Sequence, residues 1–404
     1  ENGLKVIVHT DISTPMVAVN VIYNVGARDE NPEKTGFAHL FEHLMFGGSV
    51  NIPDYDTPLQ KVGGENNAFT SNDITNYYLT VPAANIETGF WLESDRMLEL
   101  DFSEKSLEVQ RNVVVEEFKQ RYLNQPYGDV YPLMNSLAYK IHPYSWPTIG
   151  KDISHIQNAT LDDVKEFFYK HYAPNNAVLV VSGNIDAEEA LRLAEKWFGD
   201  IPRRDVPEKN IPAEPVQTEF RSLTVERDVP YDAIYLSFHM DRKLGDDYYA
   251  TDLLSDILSS GNSSRLYRKL IVEEGLFSEL DAYISGDVDP GLFSVAGKLI
   301  EGVTMEQAEN AIWDELRKMK EALVDAVELQ KVINKVEANL IYSEIGYLNK
   351  AMALAAFELL GDASLINTQG DNYRKVTPEK LRDVANSLFT RENCSTLYYK
   401  KKSK

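Results

Sequence analysis

The chain has almost no cysteine, since Cys394 is the single one among 404 residues. One thiol cannot form a disulfide within the chain, and it cannot build a metal site from several cysteines. A lone cysteine near the C-terminus is more often a small buried apolar residue than a nucleophile. The sequence therefore excludes a disulfide-stapled fold and a cysteine-clustered metal site.

Long apolar runs and an excess of positive charge are also missing. No run approaches the ~20 apolar residues that span a bilayer, and the mean hydropathy is −0.33. Lys and Arg number 41 against 63 Asp and Glu, which gives a net charge of −22. Because nucleic-acid binding depends on clustered Lys and Arg, we expect no nucleic-acid partner and no membrane span. These features predict a soluble globular protein of the cytoplasm, the periplasm or an organelle, and the acidic charge is compatible with peptide ligands.

The middle of the chain is rich in proline. Four prolines fall among polar residues between positions 201 and 219, where neither a helix nor a central strand is stable. We interpret 201–219 as a linker. It separates a predicted first domain at 1–200 from a second domain at 220–404.

The two halves of the chain share an order of segments. Alternating apolar residues predict a strand at 17–23 in the first half and at 233–238 in the second. Each strand is followed by an amphipathic helix that ends in small residues, at 39–49 and at 252–264. The corresponding residues of these helices are His39 and Asp252, Glu42 and Ser255, and His43 and Asp256. We infer a duplicated α/β domain whose second copy has lost its metal-type residues.

Two histidines in the first helix point to a metal ion. His39 and His43 are four residues apart, so on a helix they project from one face about one turn apart. That spacing lets two neutral nitrogens reach one zinc ion. Glu42 leans toward the same face, where a carboxylate takes a proton from a zinc-bound water that attacks a peptide carbonyl. The alternative is an exposed helix face on which the three side chains merely hydrogen-bond one another.

A catalytic zinc takes three protein ligands and a water, so the third ligand must lie elsewhere. The helical segment 108–118 offers Glu116 and Glu117. Glu117 follows Val113 and Val114 on the apolar face, where a carboxylate needs a partner because its burial is costly. Glu116 lies on the same helix face as Asn112 and Gln120, which are polar, so we expect it to face water. We expect Glu117 to be the ligand, with Glu116 as the alternative.

Segments along nearly the whole chain resemble the inverted-motif zinc peptidases, the pitrilysin or insulinase family, which includes the mitochondrial processing peptidase. Besides the first helix, these segments are ENGLKV at 1–6, GFAH at 36–39, NAFT at 67–70, QRNVV at 110–114, HPY at 142–144 and NNAVLVVSG at 175–183. The resemblance is to the short two-domain form of the family. It implies an α+β fold of two tandem homologous α/β-sandwich domains, each with a mainly antiparallel sheet covered by helices.

The resemblance assigns roles to the metal-type residues. It implies that His39, His43 and Glu117 bind zinc and that Glu42 is the general base. Many relatives carry a glutamate seven residues before the third ligand, and this chain has Gln110 there. An amide can still hydrogen-bond a metal ligand, so we expect Gln110 to support the site from behind the ligands.

The resemblance also indicates where a peptide binds. Asn67, Ala68, Phe69 and Thr70 resemble the edge strand of the family, which pairs with an extended peptide substrate through main-chain hydrogen bonds. From the local sequence alone, this segment is an ordinary strand entry after the Gly63–Gly64 turn. The prediction of a substrate-binding strand therefore depends on the resemblance.

One departure from the family pattern concerns the second domain. Active single-subunit relatives carry an Arg and a Tyr that hold the substrate and the developing oxyanion, and Ile271 and Ser278 stand at those places. An oxyanion donor is worth ~3 kcal/mol or more. We therefore expect a zinc metalloendopeptidase subunit that cleaves short or unfolded peptides and is completed by a homologous partner in a heterodimer. The alternatives are a non-catalytic zinc-binding core or assembly subunit, and a homodimeric peptidase.

Overall fold

The computed structural model describes residues 1–402, whose strands form two sheets of five. The strands are β1 (Lys5–Thr10), β2 (Met16–Tyr23), β3 (Glu65–Thr70), β4 (Thr75–Pro82), β5 (Ala177–Gly183), β6 (Arg221–Arg227), β7 (Ala233–His239), β8 (Phe277–Ile284), β9 (Leu292–Leu299) and β10 (Cys394–Lys401). Their order is β1-β5-β2-β4-β3 in the first sheet and β6-β10-β7-β9-β8 in the second. The second sheet thus repeats the first strand for strand.

The pairing within each sheet is mixed but mainly antiparallel. Within residues 1–402, the outer pair at one edge of each sheet is parallel (β1 with β5, and β6 with β10), and the other pairs are antiparallel. The central strands are apolar on both faces because both faces are covered, whereas β3 and β6 at the edges alternate between exposed and half-buried residues. The predicted α+β fold of two similar domains is confirmed.

Helices surround both sheets. They are α1 (Phe37–Leu44), α2 (Asp56–Lys61), α3 (Ile86–Leu98), α4 (Glu104–Phe118), α5 (Val130–Ala138), α6 (Ile153–Gln157), α7 (Leu161–His171), α8 (Ala187–Phe198), α9 (Tyr248–Ser259), α10 (Met305–Glu321), α11 (Ala326–Ile345), α12 (Tyr347–Leu359), α13 (Gln369–Arg374) and α14 (Pro378–Leu388). None of the helices described between residues 1 and 402 has the length and apolarity needed to cross a membrane.

The chain divides into two compact units that are each built from three segments. Unit 1 consists of Glu1–Gln120, Trp146–Pro212 and Ile341–Asn367, and unit 2 consists of Arg121–Ser145, Ala213–Leu340 and the segment from Thr368 onward. Each unit therefore includes a helix from the opposite half of the sequence. Helix α12 covers β2 and β5 in unit 1, and α5 covers β6, β7 and β10 in unit 2. The two units group residues in space, whereas the predicted domains 1–200 and 220–404 are continuous stretches of sequence, and these domain bounds stay a prediction.

Apolar contacts explain the placement of these two helices. Ala351 and Ala355 of α12 pack on Ile22 of β2 in one buried cluster. In unit 2, Met134 of α5 packs with Leu397 of β10 in another. Each helix buries its small apolar face on a sheet that would otherwise leave that face in water.

The proline-rich stretch 201–219 has neither helix nor strand but is held by hydrogen bonds. In unit 1, Lys209 Nζ donates to Asn24 Oδ1 and Asp29 Oδ2, both at 2.9 Å. In unit 2, the Glu214 carboxylate accepts from three successive backbone N–H groups at positions 140–142, at 2.8 to 3.0 Å. The segment is thus attached to the body of each unit by buried or half-buried polar groups.

Candidate metal centre

Helix α1 begins at a turn that requires glycine. Gly36 at its N-terminus has a φ of +89°, in the left-handed region, and a Cβ there would lie 2.6 Å from the Ile149 carbonyl oxygen. Other residues would meet both backbone strain and a clash with backbone. The turn therefore fixes where α1 starts and, with it, the face that carries His39 and His43.

Glu30 caps this helix from a distance. Its two carboxylate oxygens accept from the backbone N–H groups of Gly36 and Ala38, each at 2.8 Å, and its side chain is buried. It satisfies donors that have no partner within the helix. Capping residues are usually adjacent to the first turn of the helix. Because Glu30 lies six residues before Gly36, the sequence pattern gave no sign of this cap.

Glu30 should give the stability of the chain a pH dependence. Burial raises the pKa of Glu30 to about 8 from an ordinary value of 4.5, although its two backbone hydrogen bonds act in the opposite direction. Between these values the folded state holds a proton that the unfolded state has released. The free energy of unfolding should therefore fall as the pH rises, by up to about 1.4 kcal/mol per pH unit.

The measurement is urea unfolding of the zinc-free chain at several pH values between about 5 and 8. We expect Glu30→Gln to reduce the slope of stability against pH, since the amide does not titrate. Subtracting the two curves removes the contribution of all other titrating groups. Parallel curves for the two proteins would contradict this role of Glu30.

Three of the predicted residues come together between α1 and α4. His39 Nε2 lies 3.6 Å from Glu117 Oε2, and His43 Nε2 lies 3.4 Å from the same oxygen. The two imidazole rings are nearly perpendicular, with centroids 4.9 Å apart. Among the residues described, this is the one group of three His, Cys, Asp or Glu side chains with ligand atoms all within 4.8 Å.

The donor set has the chemistry and spacing of a zinc site. Catalytic zinc binds two imidazoles and a carboxylate and keeps its fourth position for water. In a tetrahedron with bonds of ~2.1 Å the ligand atoms are ~3.4 Å apart, which is close to the distances from Glu117 to His43 and His39. Their side chains are 9 to 22% exposed, so water can reach the group. The residues present therefore fit a zinc ion.

Glu42 lies beside this group but is not one of its three members. It immediately precedes His43 on α1 and is half-buried. One of its carboxylate oxygens, Oε2, accepts a hydrogen bond of 2.6 Å from Thr70 Oγ1. The carboxylate is thus oriented by a residue of β3.

Gln110 and Glu116 are not members of this group of three. Gln110 is on α4 two turns before Glu117, and its Nε2 would lie 3.8 Å from a Cβ placed on Gly47. Its predicted supporting role stays a prediction. The Glu116 side chain is 62% exposed and pairs with Lys119, so the structure places the alternative ligand in solvent.

The residues with a predicted role in peptide binding all lie on β3. This strand is the last of its sheet, and among the strands that the structure describes it pairs with β4 alone. Along it, Asn67 and Phe69 are exposed and Ala68 is half-buried. The Ala68 N–H donates to Asn67 Oδ1 at 2.8 Å, so a side chain of the strand satisfies a main-chain donor at the edge.

In unit 2, two of the residues at the corresponding sequence positions are paired with side chains of the protein. The segment 327–337 of α11 aligns with 107–117 of α4, which makes Glu337 the counterpart of Glu117. Arg374 forms an ion pair with Glu337, and Tyr373 donates to Asp252, the counterpart of His39 on α9. Burial raises the pKa of Asp252, against the effect of the Tyr373 hydrogen bond. A guanidinium therefore supplies the positive charge opposite Glu337, which agrees with the inferred loss of the metal site in the second copy.

Comparison with known proteins places both halves of the chain. Residues 5–152 match the family model described as Insulinase (Peptidase family M16), and residues 158–336 match the one described as Peptidase M16 inactive domain. The zinc protease PqqE of Helicobacter pylori is 30% identical over 99% of this chain and 91% of its own length.

Solved structures show the same relationship. The crystal structure of a protease from Helicobacter pylori has a TM-score of 0.92 at 30% identity and covers 99% of this chain and 98% of that one. The periplasmic protease PqqL from Escherichia coli has a TM-score of 0.82 at 18% identity, and the match covers 99% of this chain but 46% of PqqL. PqqL therefore shares the fold and is about twice as long. The resemblance found in the sequence is confirmed, and the chain belongs to the insulinase family, peptidase family M16.

Proposed function

We propose that this chain is the zinc-binding subunit of a metalloendopeptidase that hydrolyses internal bonds of short or unfolded peptides. The observation that carries the proposal is the convergence of His39, His43 and Glu117, with ligand atoms within 4.8 Å of one another, next to Glu42. Nothing in the packing of α1 against α4 alone requires two imidazoles and two carboxylates at one place.

In the proposed mechanism, His39, His43 and Glu117 would hold the zinc ion. When bound, zinc supplies a water whose pKa is lowered to about 7 and polarises the peptide carbonyl. Glu42 accepts a proton as the water oxygen attacks the carbonyl carbon. The C–N bond then breaks, and Glu42 returns the proton to the leaving nitrogen. The products are a carboxylic acid and an amine, and the acid passes its remaining proton to the amine to give a carboxylate and an ammonium group.

The edge strand β3 favours an extended peptide as the substrate. A peptide that adds to a sheet edge is held by main-chain hydrogen bonds, which are independent of sequence, while side-chain pockets select among peptides. Asn67 Oδ1 occupies the Ala68 N–H and would have to release it to the peptide. A folded protein has few free extended segments, so the proposal is restricted to short or unfolded chains.

A homologous partner is part of the proposal because unit 2 lacks the expected Arg and Tyr. Ile271 packs against the apolar core of unit 2, and the Ser278 hydroxyl donates to the Lys298 carbonyl oxygen at 3.3 Å. Neither side chain is a cation or a phenol. The twofold length of PqqL, which has the same fold, supports a second set of domains as the missing component.

The test combines metal analysis with peptide cleavage. The purified chain should contain about one zinc ion, because residues 1–402 offer one group of three ligands. With an unfolded fluorogenic peptide, it should be slow alone and at least about 100-fold faster with a homologous subunit co-purified from the native source. Full activity of the chain alone would remove the partner from the proposal, and absence of both zinc and cleavage would overturn the proposal itself.

A further inference from the structure

Thr70 connects two parts of the proposed site. It is the last residue of β3, and its hydroxyl donates to Glu42 Oε2 at 2.6 Å. A hydrogen bond of this length from a hydroxyl to a carboxylate is charge-assisted and about twice as strong as a neutral one. The contact therefore joins the strand proposed to hold the peptide to the carboxylate proposed to move the proton.

The backbone around Thr70 is held firmly. Thr70 is paired with Thr75 at the end of the β3–β4 hairpin, and the connecting turn is closed by a hydrogen bond from the Ser71 N–H to the Ile74 carbonyl oxygen at 2.8 Å. The turn is also bonded to the segment before α1, since the Ala27 N–H donates to the Ser71 carbonyl oxygen at 3.1 Å. Thr70 Oγ1 is thus presented from a fixed position.

A glutamate side chain has several rotatable bonds, so its carboxylate can take many positions unless a hydrogen-bond donor at a fixed place holds it. Fixing one carboxylate oxygen restricts the rotation of the carboxylate and its distance from the imidazole of His43. The rate of a proton transfer depends on such placement, and a displacement of about 1 Å can cost about 100-fold. Thr70 also belongs to β3, the strand on which a peptide would pair. One residue therefore takes part both in the strand that binds the peptide and in the orientation of Glu42.

We propose that Thr70 is a positioning residue that orients Glu42 and links occupation of β3 to the alignment of this base; the inference rests on the proposed function. Thr70 itself neither binds the metal nor accepts the proton. Its hydroxyl acts through Glu42, whereas its backbone belongs to the strand. The two contributions can be separated, because a substitution of the side chain leaves the main chain of β3 in place.

The test compares Thr70→Val with Thr70→Ser in the zinc-loaded chain, assayed together with the subunit that co-purifies with it. Valine keeps the β-branched shape that suits a strand and removes the donor, whereas serine keeps the donor. We expect Thr70→Val to lower kcat roughly 10- to 100-fold with KM within about twofold. Thr70→Ser should recover most of kcat. Thr80→Val, in the neighbouring strand β4, is the matched control and should behave like the unsubstituted chain.

Two measurements do not depend on turnover. The zinc content of Thr70→Val should equal that of the unsubstituted chain, and a crystal structure of the zinc-loaded variant should show the Glu42 carboxylate rotated or in more than one orientation. An unchanged kcat in Thr70→Val, or a change confined to KM, would overturn the positioning role while the proposed function stands. If the unsubstituted chain has neither zinc nor activity, the proposed function and this role fall together.

Discussion

Replacing Glu42 by Gln should leave zinc bound and remove most of the hydrolytic activity. Glu42 is outside the group of three ligand atoms, so the metal keeps its donors. Gln has nearly the same shape, and its amide oxygen can still accept the hydrogen bond from Thr70. An amide cannot take up the proton released by the attacking water, however. General-base catalysis contributes typically 10²- to 10⁴-fold, and we expect kcat/KM to fall within that range.

The measurement is zinc content by elemental analysis together with kcat/KM for an unfolded peptide, for Glu42→Gln and for a control. Glu108→Gln is a suitable control because Glu108 is exposed on α4 and also exchanges one glutamate for glutamine. Loss of zinc from Glu42→Gln would make Glu42 a ligand. Retained activity would place the general base elsewhere.

The arrangement of the candidate site residues that lie on a single helix could be predicted from the sequence. The four-residue spacing of His39 and His43 determines a shared face as soon as the segment is helical. The assignment of Glu117 relied on an apolar face that the structure shows only in part. Val114 is fully buried, as expected, but Val113 is 45% exposed. Glu117 therefore lies at the margin of the buried face of α4.

The contacts between segments could not be predicted in the same way. Thr70 and Glu42 are 28 residues apart, and Glu30 reaches Gly36 and Ala38 across a turn without periodicity. Hydrophobic periodicity indicates which side of an element is buried, but it does not identify the partner. Only the folded hairpin and the turn before α1 bring these side chains together.

The sequence also did not predict that α5 and α12 each pack in the unit formed mainly by the opposite half of the chain. The apolar faces of α5 and α12 can be recognised locally, since both helices carry small or branched apolar residues. Either sheet offers a complementary apolar surface, because the two sheets have the same strand order. The duplication made the fold predictable. For the same reason, the sequence pattern does not determine on which of the two sheets α5 or α12 packs.

Removal of Glu117, the proposed third ligand, should have a large effect on zinc binding. In Glu117→Ala the two imidazoles remain, but the carboxylate oxygen that lies 3.4 Å from His43 Nε2 is lost. Loss of a partner behind a ligand already costs 10- to 100-fold in metal affinity, so loss of a ligand itself should cost more than about 100-fold. Glu116→Ala removes the neighbouring carboxylate, which is 62% exposed, and should leave zinc affinity unchanged.

Zinc affinity and thermal stability measured together make this comparison decisive. A ligand at 100 times its Kd stabilises the folded state by about 2.7 kcal/mol, so zinc should raise the Tm of the unsubstituted chain and of Glu116→Ala. In Glu117→Ala, a loss of affinity of more than about 100-fold leaves the site less than about half occupied at the same zinc concentration, so the stabilisation should fall to about 0.4 kcal/mol or less. If Glu117→Ala kept full affinity, or if Glu116→Ala lost it, the ligand set would have to be reassigned. Glu116→Ala is the control that distinguishes loss of a ligand from loss of a negative charge on α4. Both variants remove one negative charge, but only Glu117→Ala removes the oxygen that lies near the histidines.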